Sequence, residues 1–139
     1  MPTVLVAERS PDLLRLLVET LPVFFPDWRI LGVSTEPEAD EIQRGQLLSL
    51  ALLDEAVFPT PLACAALIQR WRASGVATPL AATTASRSIS NLLWAAGADD
   101  VLIKPWDTID LQHRLDRLMR LSTAGDDVVN DLLHVDRHR

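Results

Sequence analysis

Five short apolar segments recur along the chain, and each is followed by a stretch in which apolar residues return at helical spacing. The first segment, Thr3–Ala7, is too short and too β-branched for a helix, and Ser10-Pro11-Asp12 after it is a helix-start sequence. The pattern therefore indicates alternating β-strands and α-helices. Such an alternation with short loops predicts a parallel sheet covered by helices on both faces.

We predict strands at residues 3–7, 28–34, 47–53, 79–83 and 101–103. The third segment, LLSLALL, is almost wholly apolar, as expected of a central strand buried on both faces. Helices are predicted after each strand, the last at residues 107–121 with an inward apolar face made of Ile109, Leu111, Leu115 and Leu118. The predicted fold class is α/β, a doubly wound (βα)5 sheet with five parallel strands.

Size and charge restrict the function classes. With 139 residues, 48% of them hydrophobic, the chain has the length and apolar content of one domain. We assign residues 1–121 to this domain and residues 122–139 to a polar tail or short extra helix, with no output domain after it unless the chain is a fragment. A net charge of −6 opposes direct binding to nucleic acid or anionic membranes. No signal peptide or membrane-spanning segment is evident, which predicts a cytoplasmic protein.

Polar residues follow the predicted strands. In doubly wound sheets, sites form beyond the carboxyl ends of the strands, so these residues are expected to lie near one another. They are Glu8, Arg9, Asp54, Thr84 and Lys104. The junction of Lys104 with Pro105 also favours a cis peptide bond that directs the lysine side chain inward.

Three of these positions carry a family resemblance. Leu52-Leu53-Asp54, Thr84-Ala85 and the segment GADDVLIKP at residues 97–105 follow three strands, with Thr84 thirty and Lys104 fifty residues after Asp54. In this order, the motifs resemble the receiver domain of two-component response regulators, over about residues 3–121. The resemblance implies a flavodoxin-like receiver topology and a signalling domain that is not an enzyme.

The resemblance also implies a role for each residue. Asp54 matches the aspartate that accepts a phosphoryl group from a histidine kinase or a phosphotransfer protein. Thr84 matches the hydroxyl that binds the phosphoryl oxygens, and Lys104 matches the lysine that pairs with the phosphorylated aspartate. Glu8 and Asp54 match ligands of Mg²⁺. Helix 4, strand 5 and helix 5 match the surface that binds an effector protein or a second receiver.

Two positions depart from the family pattern. Arg9 stands where the family has a second acid after strand 1, and exchanging a carboxylate for a guanidinium is expected to weaken or abolish Mg²⁺ binding. Arg9 is a candidate cation that pairs with Asp54 in place of the metal. Val101 occupies the position, three residues before Lys104, that often holds an aromatic side chain in the family.

Three functions remain open from the sequence. The first is a phosphoaccepting receiver in a phosphorelay, with Asp54 as the phosphoacceptor. The second is a pseudo-receiver that acts through protein contacts without phosphorylation, with Arg9 replacing the metal. The third is a small flavodoxin-like enzyme, which would need a phosphate-binding loop after strand 1. The sequence Glu8-Arg9-Ser10-Pro11 does not resemble such a loop.

Overall fold

The computed structural model describes the backbone of residues 1–137 and the side chains of residues 1–122. Five parallel strands form one sheet in the order β2-β1-β3-β4-β5. The strands are β1 Thr3–Ala7, β2 Arg29–Val33, β3 Leu50–Asp54, β4 Leu80–Thr84 and β5 Asp100–Ile103. The α-helices are α1 Pro11–Phe24, α2 Glu36–Gly45, α3 Pro61–Ala73, α4 Arg87–Ala96 and α5 Thr108–Arg137. The predicted (βα)5 doubly wound sheet is confirmed.

Apolar side chains pack in two layers, one on each face of the sheet. Leu53 of β3 belongs to one layer, together with Leu67 and Ile68 of α3. Its neighbour Leu52 belongs to the other layer, together with Leu115 of α5. Successive residues of a strand point to opposite faces, so a strand covered on both sides must be apolar throughout. This explains why β3 is buried along its whole length.

Hydroxyl side chains fix the starts of the first three helices. Ser10, Thr35 and Thr60 each accept a hydrogen bond from the backbone amide three residues further on, at the beginning of α1, α2 and α3. A proline occupies the first or second position of each of these helices. Proline has no amide hydrogen to leave unbonded and its φ suits a helix start, so the hydroxyl and the proline together set the helix boundary.

Arg72 links the end of α3 to the amino edge of the sheet, where β4 and β5 begin. Its guanidinium donates hydrogen bonds to the carbonyl oxygens of Gly97, Val76 and Thr78. It also forms an ion pair with Asp99 at 2.9 Å. The planar guanidinium has five donors, which allows one side chain to bind several groups at once.

The third strand begins later than predicted. The sequence pattern placed residues 47–53 in the strand, whereas β3 is Leu50–Asp54 and Leu47 is 92% exposed. The register pairs Val4 with Leu50 and the amide of Ser49 still donates to the carbonyl of Thr3, so Leu47 and Leu48 lie beyond the end of β1. Asp54 is consequently the last residue of the strand, not the first residue after it.

The inward face of α5 was predicted with one error. Leu111, Leu115 and Leu118 are buried, but Ile109 is 64% exposed. The three leucines are spaced by four and three residues and share one side of the helix. Ile109 is two residues before Leu111, which turns it by about 200° to the far side.

The backbone of α5 continues as a helix through Arg137, past Leu121, where the predicted domain ended. The predicted tail at residues 122–139 lies almost wholly outside the described side chains, so the domain boundary and the role of the tail stay predictions. Within the described part of the chain, no helix is both long enough and apolar enough to cross a bilayer.

Substitution of Gly97 tests the packing at the edge held by Arg72. Gly97 has φ +120°, and a Cβ atom there would lie 2.8 Å from Cγ of Arg72. We expect Gly97→Ala to lower the free energy of unfolding by about 2 to 3 kcal/mol, because backbone strain and a steric conflict add together. Chemical denaturation measures the loss.

Two other glycines separate these two causes. Gly75 has φ +90° with open space around it, and Gly45 has open space and no positive φ. Gly75→Ala is expected to lose about 1 kcal/mol from the backbone strain alone, and Gly45→Ala to lose almost nothing. An equal loss for Gly97→Ala and Gly75→Ala would show that the contact with Arg72 does not constrain this position.

Candidate functional site

Four strands place polar side chains at the carboxyl edge of the sheet. Glu8 follows β1, Asp54 ends β3, Thr83 and Thr84 end β4, and Lys104 follows β5. Since β1 and β3 are neighbours while their following helices diverge, a crevice is expected between the ends of these two strands. The side chains of Glu8, Asp54 and Lys104 meet there.

Lys104 joins two carboxylates. Its Nζ atom lies 2.8 Å from Oε1 of Glu8 and 3.1 Å from Oδ1 of Asp54. The lysine side chain is 26% exposed, whereas each carboxylate side chain is 4% exposed. Lys104 is the only lysine of a chain with 13 basic Lys and Arg residues. Its backbone amide donates a hydrogen bond to the carbonyl of Thr84, and the predicted cis peptide bond to Pro105 is present.

The two carboxylate oxygens of Asp54 have different surroundings. Oδ1 accepts a hydrogen bond from the hydroxyl of Thr83 at 3.0 Å and pairs with Lys104. Oδ2 is buried, and no residue with a described side chain forms a hydrogen bond with it. Buried polar atoms are nearly always hydrogen-bonded, so an unbonded carboxylate oxygen is unusual and suggests a function. One oxygen is therefore anchored and the other is left available.

Burial and charge act together on the ionisable groups. Burial raises the pKa of Glu8, while the hydrogen bonds from Lys104 and from the amide of Ser10 act in the opposite direction without cancelling it. A side-chain hydrogen bond with Asp54 and the charge of Asp54 also raise this pKa. Burial acts to lower the pKa of Lys104, but the hydrogen bonds to Glu8 and Asp54 outweigh it, and the pKa is raised. The ammonium is thus held in its charged form by the two acids, and burial makes Glu8 lose its charge more easily than an exposed glutamate does.

Thr84 was predicted to face the site, but its hydroxyl makes a different bond here. Thr84 is fully buried and its Oγ1 accepts a hydrogen bond from the amide of Ser86, at the start of α4. Thr83, which the sequence analysis did not select, binds Asp54 instead. Thr83 is the register partner of Asp54 in the sheet, so their side chains are on the same face. The sequence alone does not show this register, which is why Thr83 was not selected.

Arg9 does not form the predicted ion pair with Asp54. Its side chain is exposed, and Lys104 is the cation that contacts the carboxylate. The reason is positional, because Glu8 and Arg9 are consecutive, and Glu8 is the one buried in the crevice. Glu8 also accepts a hydrogen bond from the amide of Ser10, which holds it there.

A resident Mg²⁺ does not fit the groups present. Mg²⁺ requires about six oxygen ligands in octahedral geometry. Glu8 and Asp54 are the two acids in the crevice, and both already bind the ammonium of Lys104. Among residues with described side chains, no group of three or more His, Cys, Asp and Glu comes together to hold a metal ion. Lys104 supplies the positive charge that a metal would otherwise bring.

Solved structures resemble this chain over most of its length. It is similar to the receiver domain of a Francisella response regulator, with a TM-score of 0.75 and 21% identity over 88% of this chain and 99% of that one. For a CheY-like receiver domain of Methanospirillum hungatei, the TM-score is 0.77 and the identity 16% over 90% and 98% of the two chains.

A third similar structure is the receiver domain of a sensor histidine kinase from Pseudomonas aeruginosa, with a TM-score of 0.70 and 24% identity over 85% and 97% of the two chains. That structure has a magnesium ion in its active-site cleft. No protein-family model and no curated protein matches the sequence. The predicted resemblance is confirmed as a likeness of fold, since the chain has the fold of response-regulator receiver domains.

Replacing Lys104 tests the shared ion pair. Lys104→Met keeps the length of the side chain and removes its charge, which leaves two buried carboxylates without a counter-charge. We expect the free energy of unfolding at pH 7 to fall by about 3 kcal/mol. The loss should be smaller at pH 5, because the variant lacks the Lys104 hydrogen bond that lowers the pKa of Glu8, so Glu8 of the variant loses its unpaired charge more readily as the pH falls.

Urea denaturation at both pH values measures this difference. Arg29→Met is the matched control, because Arg29 is exposed at the start of β2, on the opposite edge of the sheet. Its effect is expected within about 0.5 kcal/mol of zero at either pH. An equal loss for Lys104→Met at pH 5 and pH 7 would indicate lost packing and contradict the ion pair.

Proposed function

We propose that this chain is a receiver-type signalling domain whose Asp54 accepts a phosphoryl group from a histidine kinase or a phosphotransfer protein. The observation that carries the proposal is the asymmetry of Asp54, with Oδ1 bound by Thr83 and Lys104 and Oδ2 without a partner. A carboxylate serves as a nucleophile towards phosphorus when one oxygen is free and cationic groups neutralise the incoming phosphoryl oxygens. At Asp54, Oδ2 is the oxygen without a bond, and Lys104 is the cation beside Oδ1.

The transfer is a single displacement at phosphorus. Oδ2 of Asp54 forms a bond to phosphorus while the bond between phosphorus and the donor's imidazole nitrogen breaks, and that nitrogen keeps the electron pair. The product is an acyl phosphate on Asp54 and a free histidine on the donor. Because Oδ2 is buried, the side chains around it must move before a donor can approach.

Lys104 and Thr84 have distinct roles in this proposal. The phosphoryl group brings additional negative charge beside the ammonium of Lys104, which then has a stronger partner than Glu8. The hydroxyl of Thr84 accepts a hydrogen bond from Ser86 and retains its own hydrogen to donate to a phosphoryl oxygen. Glu8 balances the charge of Lys104 before phosphorylation.

The output surface is proposed to be α4, β5 and α5. Trp94 of α4 and Ile109 of α5 are 46% and 64% exposed, and large exposed apolar side chains favour protein contacts. Asp100 of β5 is buried and binds Arg114 and Arg117 of α5, which couples the strand to the helix. Lys104 directly follows β5, so a change at the site has a short path to this surface. The partner is an effector protein or a second copy of the chain, in the cytoplasm.

A second candidate is a pseudo-receiver that signals without phosphorylation. The observation that favours it is that the ammonium of Lys104 already pairs with both Glu8 and Asp54, with Asp54 only 3% exposed. Under this function, Asp54 is a fixed structural acid and the same surface binds its partner in one state. Arg9 is not required for it, since Lys104 supplies the cation.

Phosphorylation by a small-molecule donor distinguishes the two candidates. The protein is incubated with acetyl phosphate, with and without Mg²⁺, and its intact mass is followed over time. We expect the mass of one phosphoryl group on the wild type and none on Asp54→Asn. Asp27→Asn is a matched control in an exposed loop and should be labelled like the wild type. An unlabelled wild type under both conditions would contradict phosphoacceptance and favour the pseudo-receiver.

Placing an acid at position 9 tests whether Arg9 weakens the binding of Mg²⁺. We expect Arg9→Asp to bind Mg²⁺ at least about tenfold more tightly than the wild type, because a cation beside the crevice is replaced by a hard oxygen ligand. Isothermal titration calorimetry measures the affinity. Arg29→Asp makes the same charge change at the far edge of the sheet and should leave the affinity unaltered. An equal Mg²⁺ affinity for Arg9→Asp and the wild type would contradict this explanation.

A further inference from the structure

Thr83 is one of two buried threonines that end a strand whose first three residues are apolar. It is 3% exposed and follows Leu80, Ala81 and Ala82, which are all buried. Burying a hydroxyl without a hydrogen bond costs about 1 to 3 kcal/mol, whereas valine has the same shape and suits a strand at least as well. The bond to Asp54 compensates this cost, which gives the hydroxyl a specific purpose at this position.

The sheet register fixes the geometry of that bond. Thr83 and Asp54 are paired residues of β4 and β3, and the Thr83 hydroxyl donates to Oδ1 at 3.0 Å. The Nζ atom of Lys104 approaches the same oxygen at 3.1 Å. A carboxylate with a single partner can turn about its Cβ–Cγ bond and exchange its oxygens. Two donors from two different strand ends on one oxygen prevent this exchange.

We propose that Thr83 is a positioning residue for the phosphoryl acceptor: its hydroxyl holds Oδ1 of Asp54, so that Oδ2 is the oxygen that reacts. This inference deepens the proposed function and rests on it for the reaction itself. Thr83 acts through Asp54 and does not contact the phosphoryl donor. The anchoring of Oδ1 by Thr83 is a separate physical claim, which holds or fails without any phosphorylation.

Two substitutions at residue 83 and one control test the proposal. Thr83→Val removes the hydroxyl and keeps the shape of the side chain, while Thr83→Ser keeps the hydroxyl. Thr78→Val is the control, because its hydroxyl bonds to the carbonyl of Leu48 at the amino edge of the sheet, far from Asp54 along both strands. Circular dichroism and urea denaturation first establish that all three variants are folded under the assay conditions.

The first readout is the rate of labelling by acetyl phosphate. Loss of one hydrogen bond that aligns a reacting group is expected to slow labelling of Thr83→Val about tenfold. Thr83→Ser should recover most of the wild-type rate, and Thr78→Val should match the wild type. A Thr83→Val variant that is labelled as fast as the wild type would overturn the positioning role while leaving phosphoacceptance intact.

The second readout does not depend on the reaction. In protein labelled with ¹³C-aspartate, the Cγ signal of Asp54 is assigned by its loss in Asp54→Asn. We expect this signal to shift in Thr83→Val, to return towards its wild-type position in Thr83→Ser, and to stay in place in Thr78→Val. An unshifted signal in Thr83→Val would overturn the anchoring of Oδ1. If the wild type is never labelled, the proposed function fails, and this signal alone decides whether Thr83 holds the carboxylate.

Discussion

Two buried carboxylates in one crevice repel each other and require a counter-charge, and the ammonium of Lys104 provides it. Removing water from two acids is unfavourable unless a cation and hydrogen bonds replace the lost hydration. Lys104 contacts Glu8 and Asp54 together, at 2.8 and 3.1 Å. This single charge joins the ends of β1, β3 and β5.

The pairing also explains how one chain supports two candidate functions. Because Lys104 and Thr83 both use Oδ1, the other oxygen of Asp54 is left for a reaction. Because the same ammonium pairs with both acids, Glu8 and Asp54 already have a cationic partner without a metal ion. A phosphoryl group would compete with Glu8 for Lys104, and Glu8 is suited to that competition, since burial raises its pKa and makes loss of its charge easier.

Much of the fold and the composition of the site follow from the sequence. The spacing of apolar residues defines strands and helices, and parallel strands bring their carboxyl ends together, which selects Glu8, Asp54 and Lys104. The bond of Thr83 to Asp54 was not predicted, because the segment LAATT has no alternation of polar and apolar residues to show which hydroxyl is on the face of Asp54. Only the pairing with β3 decides that. The direction of the Arg9 side chain depends on the conformation of the loop after β1, which the sequence does not show either.

The most direct test of the shared ammonium uses the fact that Lys104 is the only lysine. In protein labelled with ¹³C-lysine, one Cε signal reports the titration of this residue without ambiguity. We expect the titration midpoint of Lys104 to lie above the ordinary lysine pKa of 10.5 in the wild type. The midpoint should be lower in Glu8→Gln and in Asp54→Asn. A midpoint at or below that value, unchanged in both variants, would show that Lys104 does not bind the two carboxylates.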